Sequence, residues 1–364
     1  MSESLKERLI LYYKQHEKRL EISFFIGGFI FDVLMVGEPD SVFEIIQQIF
    51  LLSIIASVLH YDLLFHLQKW QPSKRIENIW QYRDLLLTFL LGTLLNVYSI
   101  FYIKSASFFS SVIFLSIMIA LILINEIPSV KRSQVSFKVG LFGICLFSFF
   151  SILYPILLGF VGWIPFGLAL VTTALFFYLQ YWFVKRALGN INTALKAILV
   201  PGISVLIFFF IFYFLRWIPP VPLSVKEQGI YHLIEKKDGE YSLSTEKAWW
   251  KFWHAGDEEF KAQPGDKLYF YVQIYSPTRF SDEVVVHWLW KNKKGKWESA
   301  DKIPMKIVGG RKEGFRGFTI KNNYDPGKWR VQVESLSGLE ISRLYFEIEP
   351  VLNQEPREFK IVKR

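Results

Sequence analysis

The sequence predicts an α-helical polytopic membrane protein of about seven spans, followed by an extracytoplasmic all-β sandwich domain. Three observations lead to this fold class. The 364-residue chain is 52% hydrophobic, which suits a membrane region joined to a soluble domain. Long apolar runs occupy the chain up to residue 218, and short runs of alternating polarity follow them. Basic residues are distributed unevenly between the apolar runs, as in membrane proteins of defined orientation.

These patterns divide the chain into five segments. They are an amphipathic cytoplasmic N-terminal helix over 1–21, a seven-helix transmembrane domain over 22–218, a Pro-rich linker over 219–229, an immunoglobulin-like β-sandwich over 230–350, and a C-terminal tail over 351–364.

The first segment has the features of an amphipathic helix on the inner leaflet. Ser4 and Glu7 have the spacing of a capping box, and apolar residues recur after them at helical spacing. The segment lacks the small-residue cleavage pattern of a signal peptide, so we expect it to be retained. A helix that simply continues into the first span fits the pattern equally well.

Seven apolar runs follow, and most approach the roughly 20 residues that a helix needs to cross about 30 Å of hydrocarbon. They lie at about 22–36, 42–67, 84–103, 108–125, 139–159, 164–184 and 197–215. A single helix from Val139 to Val184 would be about twice too long for a bilayer. Gly159 and Pro165 interrupt this stretch, which therefore predicts a helical hairpin.

The basic residues between the spans predict the orientation. With the N-terminus in the cytoplasm, the inside segments hold Lys6, Arg8, Lys14, Lys18, Arg19, Lys69, Lys74, Arg75, Arg83, Lys131, Arg132, Lys138, Lys185, Arg186 and Lys196. The outside segments before the β domain hold only Lys104 and Arg216. This asymmetry is a strong positive-inside signal, and an odd number of spans places the C-terminal domain outside a bacterial cytoplasmic membrane.

Six strands are predicted after the last span. They lie at about 230–235, 268–275, 284–290, 315–320, 328–334 and 341–349. Such spacing is typical of an antiparallel β-sandwich, immunoglobulin-like in general shape. The chain has one cysteine, Cys145, so no disulfide within the chain can stabilise this domain. The expected aromatic core consists of Phe270, Trp288, Phe318, Trp329 and Phe346.

The order of motifs in this domain is similar to that of a known bacterial family. HWLW, a Lys/Gly turn, GFRGFT and PGKWRVQVES follow one another, and the matching residues are His287, Trp288, Gly310, Arg316, Gly327, Trp329 and Val331. Over residues 282–349 the chain resembles an uncharacterised domain of unknown function that often lies C-terminal to a helical membrane region. The resemblance implies a fold and an architecture, and it brings no activity and no catalytic residues.

Ionisable residues within the spans are few, so each is a candidate functional residue. Asp32 and Glu44 flank a short outside turn, and with Arg216 they could form an intramembrane polar site for a cation or a proton. Carboxylates that simply reach the membrane surface are the more ordinary interpretation, and we favour it.

Metal-ligand residue types occur in HYDLLFH, from His60 to His66. On a helix, however, His60 points about 200° away from Asp62, so these side chains cannot converge on one ion without other spans. We therefore expect packing at the membrane interface rather than a metal site. No nucleotide-binding loop or catalytic motif occurs in the sequence, so we expect no cofactor and find no support for an enzyme.

The β region offers two candidate contact surfaces. The stretch AWWKFWHAGDEEF places Trp249, Trp250 and Trp253 close together beside lysines, and exposed tryptophans are common at partner contacts. Tryptophans in the domain core or at the lipid headgroups are the more ordinary interpretations. A second candidate surface consists of Tyr269 and Tyr271, with Tyr275, on the strand face opposite Phe270.

Three functions are consistent with these patterns. We prefer a non-enzymatic membrane interaction or scaffold protein that presents a β-sandwich to a protein partner, to a second copy or to an envelope glycan. The alternatives are a transporter or sensor with a small-ligand or ion site in the helices, and a membrane enzyme acting on a lipid-linked glycan. The net charge of +9 is spread over both halves of the chain, which argues against nucleic acid as a partner and leaves membrane lipids as expected contacts.

Overall fold

The computed structural model describes residues 36–127, 135–188, 192, 195–251, 253–309, 313–351 and 356–364. The predicted N-terminal helix, Asp32 and almost all of the first predicted span lie outside the described residues.

Helices fill the N-terminal part of the described chain. They are α1 (Val42–His66), α2 (Lys74–Trp80), α3 (Arg83–Lys104), α4 (Phe108–Glu126), α5 (Val135–Leu158), α6 (Trp163–Leu188) and α7 (Val200–Phe214), the last preceded by a π-helical turn over Leu195–Leu199. Each predicted run from the second to the seventh corresponds to one of these helices. The short helix α2, in the predicted inside loop, is an addition.

Five helical segments are long and apolar enough to cross a membrane. They are Val42–His66, Arg83–Lys104, Val135–Leu158, Trp163–Arg186 and Leu195–Phe214. The apolar helix over Phe109–Asn125 is shorter than these. The coarse architecture of the prediction is therefore present, whereas the count of seven spans stays a prediction.

Large apolar side chains cover the outside of the bundle as well as its inside. Phe43 on α1 is 73% exposed, Phe89 on α3 67% and Val171 on α6 66%. A protein in water rarely exposes a continuous apolar surface, so this distribution favours helices that face lipid.

Two ion pairs lie at the bundle end away from the β domain. The Asp62 carboxylate is fully buried and accepts a hydrogen bond of 2.5 Å from Nε of Arg83. The buried Lys138 ammonium lies 2.5 Å from Oδ1 of Asp84. His60 contacts Gln180, whereas Nδ1 of His66 lies 3.3 Å from Oδ1 of Asp62. Asp62 and His66 therefore share a helix face and His60 points away from it, as the helical spacing predicts.

The β domain contains eleven described strands. They are β1 (Ser224–Tyr231), β2 (Leu233–Lys237), β3 (Glu240–Thr245), β4 (Glu259–Ala262), β5 (Leu268–Tyr275), β6 (Ser281–Lys291), β7 (Trp297–Val308), β8 (Phe315–Lys321), β9 (Gly327–Ser335), β10 (Glu340–Pro350) and β11 (Lys360–Lys363). They form three sheets with the strand orders β1-β5-β8, β4-β10-β9-β6-β7 and β11-β3-β2.

The sheets of the β domain pack in layers around two hydrophobic cores. The sheets β1-β5-β8 and β4-β10-β9-β6-β7 enclose a core that contains Phe270, Trp288, Trp329 and Phe346, as predicted. The third sheet packs on the outer face of the first around Tyr231, Ile234, Tyr241, Leu243 and Tyr271. Phe318 is only partly buried and belongs to this second cluster. The prediction for Phe318 was therefore wrong about which core it joins, because the third sheet was not foreseen.

Three segment boundaries also differ from the prediction. Pro219 to Leu223 are buried rather than a free linker, and β1 begins at Ser224. The expected strand over 230–235 is split at His232, because β1 pairs with β5 whereas β2 pairs with β3. The expected C-terminal tail contains β11, which pairs with β3.

The β domain is attached to one end of the helix bundle through loops that precede or join the helices. Asp40, just before α1, accepts hydrogen bonds from the hydroxyl of Tyr275 (2.6 Å) and the backbone N–H of Thr278 (3.2 Å). Between α5 and α6, the Gly159 carbonyl accepts from the N–H of Ser281 at 2.9 Å. Between α3 and α4, the Ser107 hydroxyl donates to Glu340. The sandwich is therefore held directly against the bundle.

Candidate functional site

A cavity of about 630 Å³ lies between the helix bundle and the β domain, and we call it the interdomain cleft. Its helical wall is the α3–α4 loop, with Lys104, Ser107 and Phe109. The β wall comes from β1, β10 and β11, and the third side is the loop over residues 246–258, the tryptophan loop. The volume is typical of a ligand pocket.

Glu340 organises the wall where the two regions meet. Its carboxylate accepts hydrogen bonds from Gln332 Nε2 (2.6 Å), from Arg343 Nε (2.9 Å) and Nη2 (2.6 Å), and from the Ser107 hydroxyl. The Arg343 guanidinium lies 5.3 Å from the centre of the Phe109 ring, and that ring meets Tyr345 edge to face at 5.6 Å. These contacts hold the start of α4 against β10.

The cleft is strongly basic. Six cationic side chains line it, against the single carboxylate of Glu227; the cations are Lys104, Lys226, Lys247, Arg343, Lys360 and Arg364. Arg364 Nε lies 2.6 Å from Glu227, and this hydrogen bond raises the pKa of the guanidinium. Arg343 is likewise neutralised by Glu340. The excess charge therefore comes from the lysines.

The surroundings of Lys247 disfavour its positive charge. Burial lowers the pKa of its ammonium, and the nearby charge of Lys360 lowers it further, against smaller opposing effects of Glu227, Asp257 and Glu258. The Lys247 ammonium donates to the backbone carbonyl of His254, a neutral partner that leaves the charge in place. An anion in the cleft would relieve the repulsion between the two ammonium groups.

The tryptophan loop forms the lip of the cleft. Trp249 is 86% exposed, Trp253 58% and Trp250 52%, so none of the three belongs to a core of the domain. Trp249 and Trp253 line the cleft itself, and the Trp250 and Trp253 rings lie 5.6 Å apart. The structure thus excludes one of the three interpretations of this cluster.

Polar contacts hold the loop to the sheet beneath it. Oγ1 of Thr245 donates to Asp257 at 2.8 Å, and the Asp257 N–H donates to the carbonyl of Ile230 at 2.8 Å. Burial raises the pKa of Asp257 to about 7, although the Thr245 hydrogen bond opposes this shift. Nε2 of His232 lies 3.8 Å from Asp257 and 3.5 Å from Glu246; burial and the charge of Arg357 lower the pKa of His232 to about 4.

The second predicted contact surface is not a surface. Tyr271 is completely buried, Tyr275 is nearly so, and Tyr269 packs against the second core. The sheet β11-β3-β2 covers this face of β5. The expectation that Tyr271 contacts a partner is therefore wrong, because strands that the sequence analysis did not identify occupy the space outside it.

The predicted intramembrane site is not assembled among its described members. Oε1 of Glu44 accepts a hydrogen bond of 3.2 Å from the N–H of Gly37. Arg216 instead lies against the turn at Gly338, where a Cβ would come within 2.8 Å of its guanidinium. In the described part of the chain, no group of three or more His, Cys, Asp or Glu side chains is arranged to hold a metal ion.

Several cleft residues were missed by the sequence analysis. Lys104 carried one usable signal, since it is one of two basic residues in the predicted outside segments. Ser107, Glu340 and Arg343 carried none, because their positions depend on how β10 approaches the α3–α4 loop.

Three of the residues that carry the family resemblance have structural roles in the sandwich. Trp288 and Trp329 are core residues, and Nε1 of Trp329 donates to the Asp325 carbonyl at 2.8 Å. His287 bridges neighbouring strands through Glu334 (3.1 Å) and Ser299 (2.8 Å). These three residues therefore support the fold of the sandwich, and none of them lines the cleft.

Comparisons with solved structures give distant likenesses. An immunoglobulin-like protein from Pseudomonas aeruginosa is similar over 33% of this chain and 96% of its own, with 12% identity and a TM-score of 0.21. A β-glucosidase from Listeria innocua is similar over 25% of this chain and 15% of its own, with 14% identity and a TM-score of 0.20. An alkylpurine DNA glycosylase from Pseudomonas fluorescens covers 86% of this chain and 99% of its own, with 10% identity and a TM-score of 0.22.

No curated protein matches the chain by sequence. The family comparison instead agrees with the resemblance noted over residues 282–349. Residues 281–348, which run from the start of β6 into β10, match the family described as a protein of unknown function, DUF2914.

Proposed function

We propose that this chain is a non-enzymatic membrane-anchored binding protein that holds a partner in the interdomain cleft, at the outer surface of a bacterial cytoplasmic membrane. The observation that carries the proposal is the cleft itself, which combines a basic interior with an exposed tryptophan lip where a β domain meets the ends of apolar helices.

The orientation in this proposal is supported by the charge of the two bundle ends. The loops on the β-domain side contain Lys104 and Arg216, whereas the other end of the described bundle holds Lys69, Lys74, Arg75, Arg83, Lys138, Lys185, Arg186 and Lys196. The positive-inside rule then assigns the β domain to the extracytoplasmic side and the N-terminus to the cytoplasm, if seven spans are present.

The binding role is supported by the distribution of polar groups. The described candidates for an ion site, Glu44 and Arg216, contact different parts of the chain. The cleft instead brings lysines without carboxylate partners together with the exposed rings of Trp249 and Trp253. A tryptophan side chain has a large ring and few rotatable bonds, so an exposed tryptophan loses little conformational freedom on binding and is suited to anchor a partner.

Photo-crosslinking in cells tests the proposal. A photoreactive amino acid at Ala248, which lines the cleft, should give adducts, and the same group at Lys294 in the exposed β6–β7 hairpin should give few. Replacing Trp249, Trp250 and Trp253 with Ser should abolish the Ala248 adducts and leave the melting temperature of the full-length protein nearly unchanged. Equal adduct yields from the two positions would contradict the proposal.

A further inference from the structure

Of the four lysines that line the interdomain cleft, Lys226 lies 3.8 Å from the carboxylate of Glu38, and the unneutralised charge comes from the other three. Lys104 donates to the Val36 carbonyl at 3.2 Å, and Lys247 donates to the His254 carbonyl. Neither carbonyl cancels a positive charge. The Lys360 ammonium forms no hydrogen bond or ion pair with any described residue. Three ammonium groups that line one cavity favour an anion with several acceptor oxygens, and a phosphate has that chemistry.

The position of the cleft favours a phosphate that belongs to a lipid. Lys104 is the last residue of α3, and Phe109 lies in the first turn of α4. If these helices cross a membrane, their ends lie at the depth of the lipid headgroups. Trp249 and Trp253, exposed beside them, are of the residue type that is enriched at this depth.

An apolar path leads from the cleft along the outside of the bundle. Phe109 lines the cleft and is 59% exposed. Ile113, one helical turn further along α4, is also exposed and lies on the same face because residues four apart are neighbours on a helix. An acyl chain could pack along this face while its headgroup stays among the lysines. A free anion has no apolar group that would contact this face.

We propose that the interdomain cleft binds the phosphate headgroup of an anionic membrane lipid, with Lys104, Lys247 and Lys360 around the phosphate and an acyl chain along Phe109 and Ile113. This inference rests on the proposed function, because it names what the cleft holds. The lipid is then the bound partner, and the tryptophan lip covers it.

Native mass spectrometry of the full-length protein, released from nanodiscs with equal amounts of phosphatidylglycerol and phosphatidylcholine, tests the inference. The wild type should retain phosphatidylglycerol preferentially. The Lys247→Gln/Lys360→Gln double variant should retain about thirtyfold less of it, since each lysine near the membrane surface contributes about a fivefold effect. The Lys293→Gln/Lys294→Gln variant removes the same charge from the β6–β7 hairpin and should behave as the wild type.

Two further arms separate charge from folding and lipid from free anion. The Lys247→Arg/Lys360→Arg variant keeps both charges and should keep most of the retained lipid; loss of lipid from it as well as from the Gln variant would overturn the inference. Glycerol phosphate, added as a soluble competitor, should displace the lipid poorly, because it lacks the acyl chain. Displacement at a concentration equal to that of the lipid would assign the cleft to a soluble phosphate and overturn the lipid inference.

The outcome also distinguishes this inference from the proposed function. If Ala248 crosslinks only to a protein and the nanodisc experiment shows no preference for phosphatidylglycerol, the cleft binds a partner but the lipid inference is wrong. If Ala248 gives no adducts and no lipid is retained, both are wrong.

Discussion

Single residues in this protein derive their importance from what surrounds them rather than from their type. Asp62 belongs to a motif that resembles a metal site, yet its carboxylate is buried against Arg83, whose guanidinium lies 4.9 Å from the Phe65 ring centre. Asp257 sits in a loop whose sequence suggests a charged surface, yet it is buried beneath that loop. In both cases burial decides what the charge does.

Arg83→Ala should destabilise the helix bundle strongly. The change leaves the fully buried Asp62 carboxylate without its cation, which typically costs about 3 to 5 kcal/mol. Thermal unfolding of the purified protein in detergent should show a clear loss for this variant, and Lys74→Ala, which removes an exposed charge from α2, should show almost none. An unchanged midpoint for Arg83→Ala would show that the ion pair between Asp62 and Arg83 does not stabilise the bundle.

Asp257→Asn should change how stability depends on pH. The pKa of Asp257 is about 7 in the fold and 3.8 as an ordinary carboxyl, so the protonated form favours folding. The contribution of Asp257 is thus fully present below about pH 4 and is lost as the pH rises towards about 7. The Asn variant should therefore gain stability relative to the wild type across this window, with little further gain above it.

The measurement compares melting midpoints of the two full-length proteins from pH 4 to pH 8. His232 has the opposite slope, since its lowered pKa of about 4 makes folding more favourable as the pH rises, so the difference between variants isolates Asp257. Asp238→Asn, in the exposed β2–β3 turn, is the matched control. Parallel curves for the wild type and Asp257→Asn would exclude a raised pKa at this position.

Secondary-structure elements were predictable where their pattern was strong. Each described apolar run is a helix, because a run of that length has no other way to satisfy its backbone in an apolar environment. β5, β6, β8, β9 and β10 were expected from alternation or from Val and aromatic content. β3, β4, β7 and β11 were missed, since they are short or, like β7, largely exposed edge strands whose side chains give little alternation.

Gly159→Ala should loosen the attachment of the β domain at the α5–α6 loop. Gly159 has φ of +81°, and a Cβ there would lie 2.6 Å from the Arg279 carbonyl oxygen. The strain and the collision together should cost about 1 to 3 kcal/mol. Hydrogen exchange should rise at residues 276–281 while the helices stay protected.

Gly167→Ala is the control for this change. Gly167 lies inside α6, and a Cβ added to it would have no atom within 4 Å, so alanine should be neutral or stabilise the helix by up to about 1 kcal/mol. Equal exchange at residues 276–281 in both variants would show that the Gly159 contact does not hold the domains together.

The whole molecule joins a helix bundle to a β domain through several separate contacts, and this union creates the interdomain cleft. No single element contains the cleft, since α3, α4, β1, β10, β11 and the tryptophan loop all contribute to it. The proposed orientation also depends on the entire chain, because it follows from the attachment of the β domain to the bundle end that is poor in basic residues.

Reporter fusions test that orientation. Alkaline phosphatase fused after Arg364 should be active, because the enzyme folds only outside the cytoplasm, and the same enzyme fused after Arg75 should be inactive. Both fusions should be detected by immunoblot at similar amounts. Activity of the Arg75 fusion together with inactivity of the Arg364 fusion would reverse the proposed topology.

Sequence alone was sufficient for the division into apolar helices and a β-sandwich, for most core aromatics and for the family resemblance, because hydrophobic periodicity and turn residues are local properties. It also singled out Trp249, Trp250 and Trp253, but it left open whether their rings are buried. Three-dimensional packing settled that question, since burial depends on which strands cover a face: the sheet β11-β3-β2 encloses Tyr271, and nothing described covers Trp249 to the same degree. The basic cleft was likewise decided by the tertiary structure. Lys104, Lys247 and Lys360 are far apart in the chain, and they line one cavity only because the β domain packs against the helix bundle.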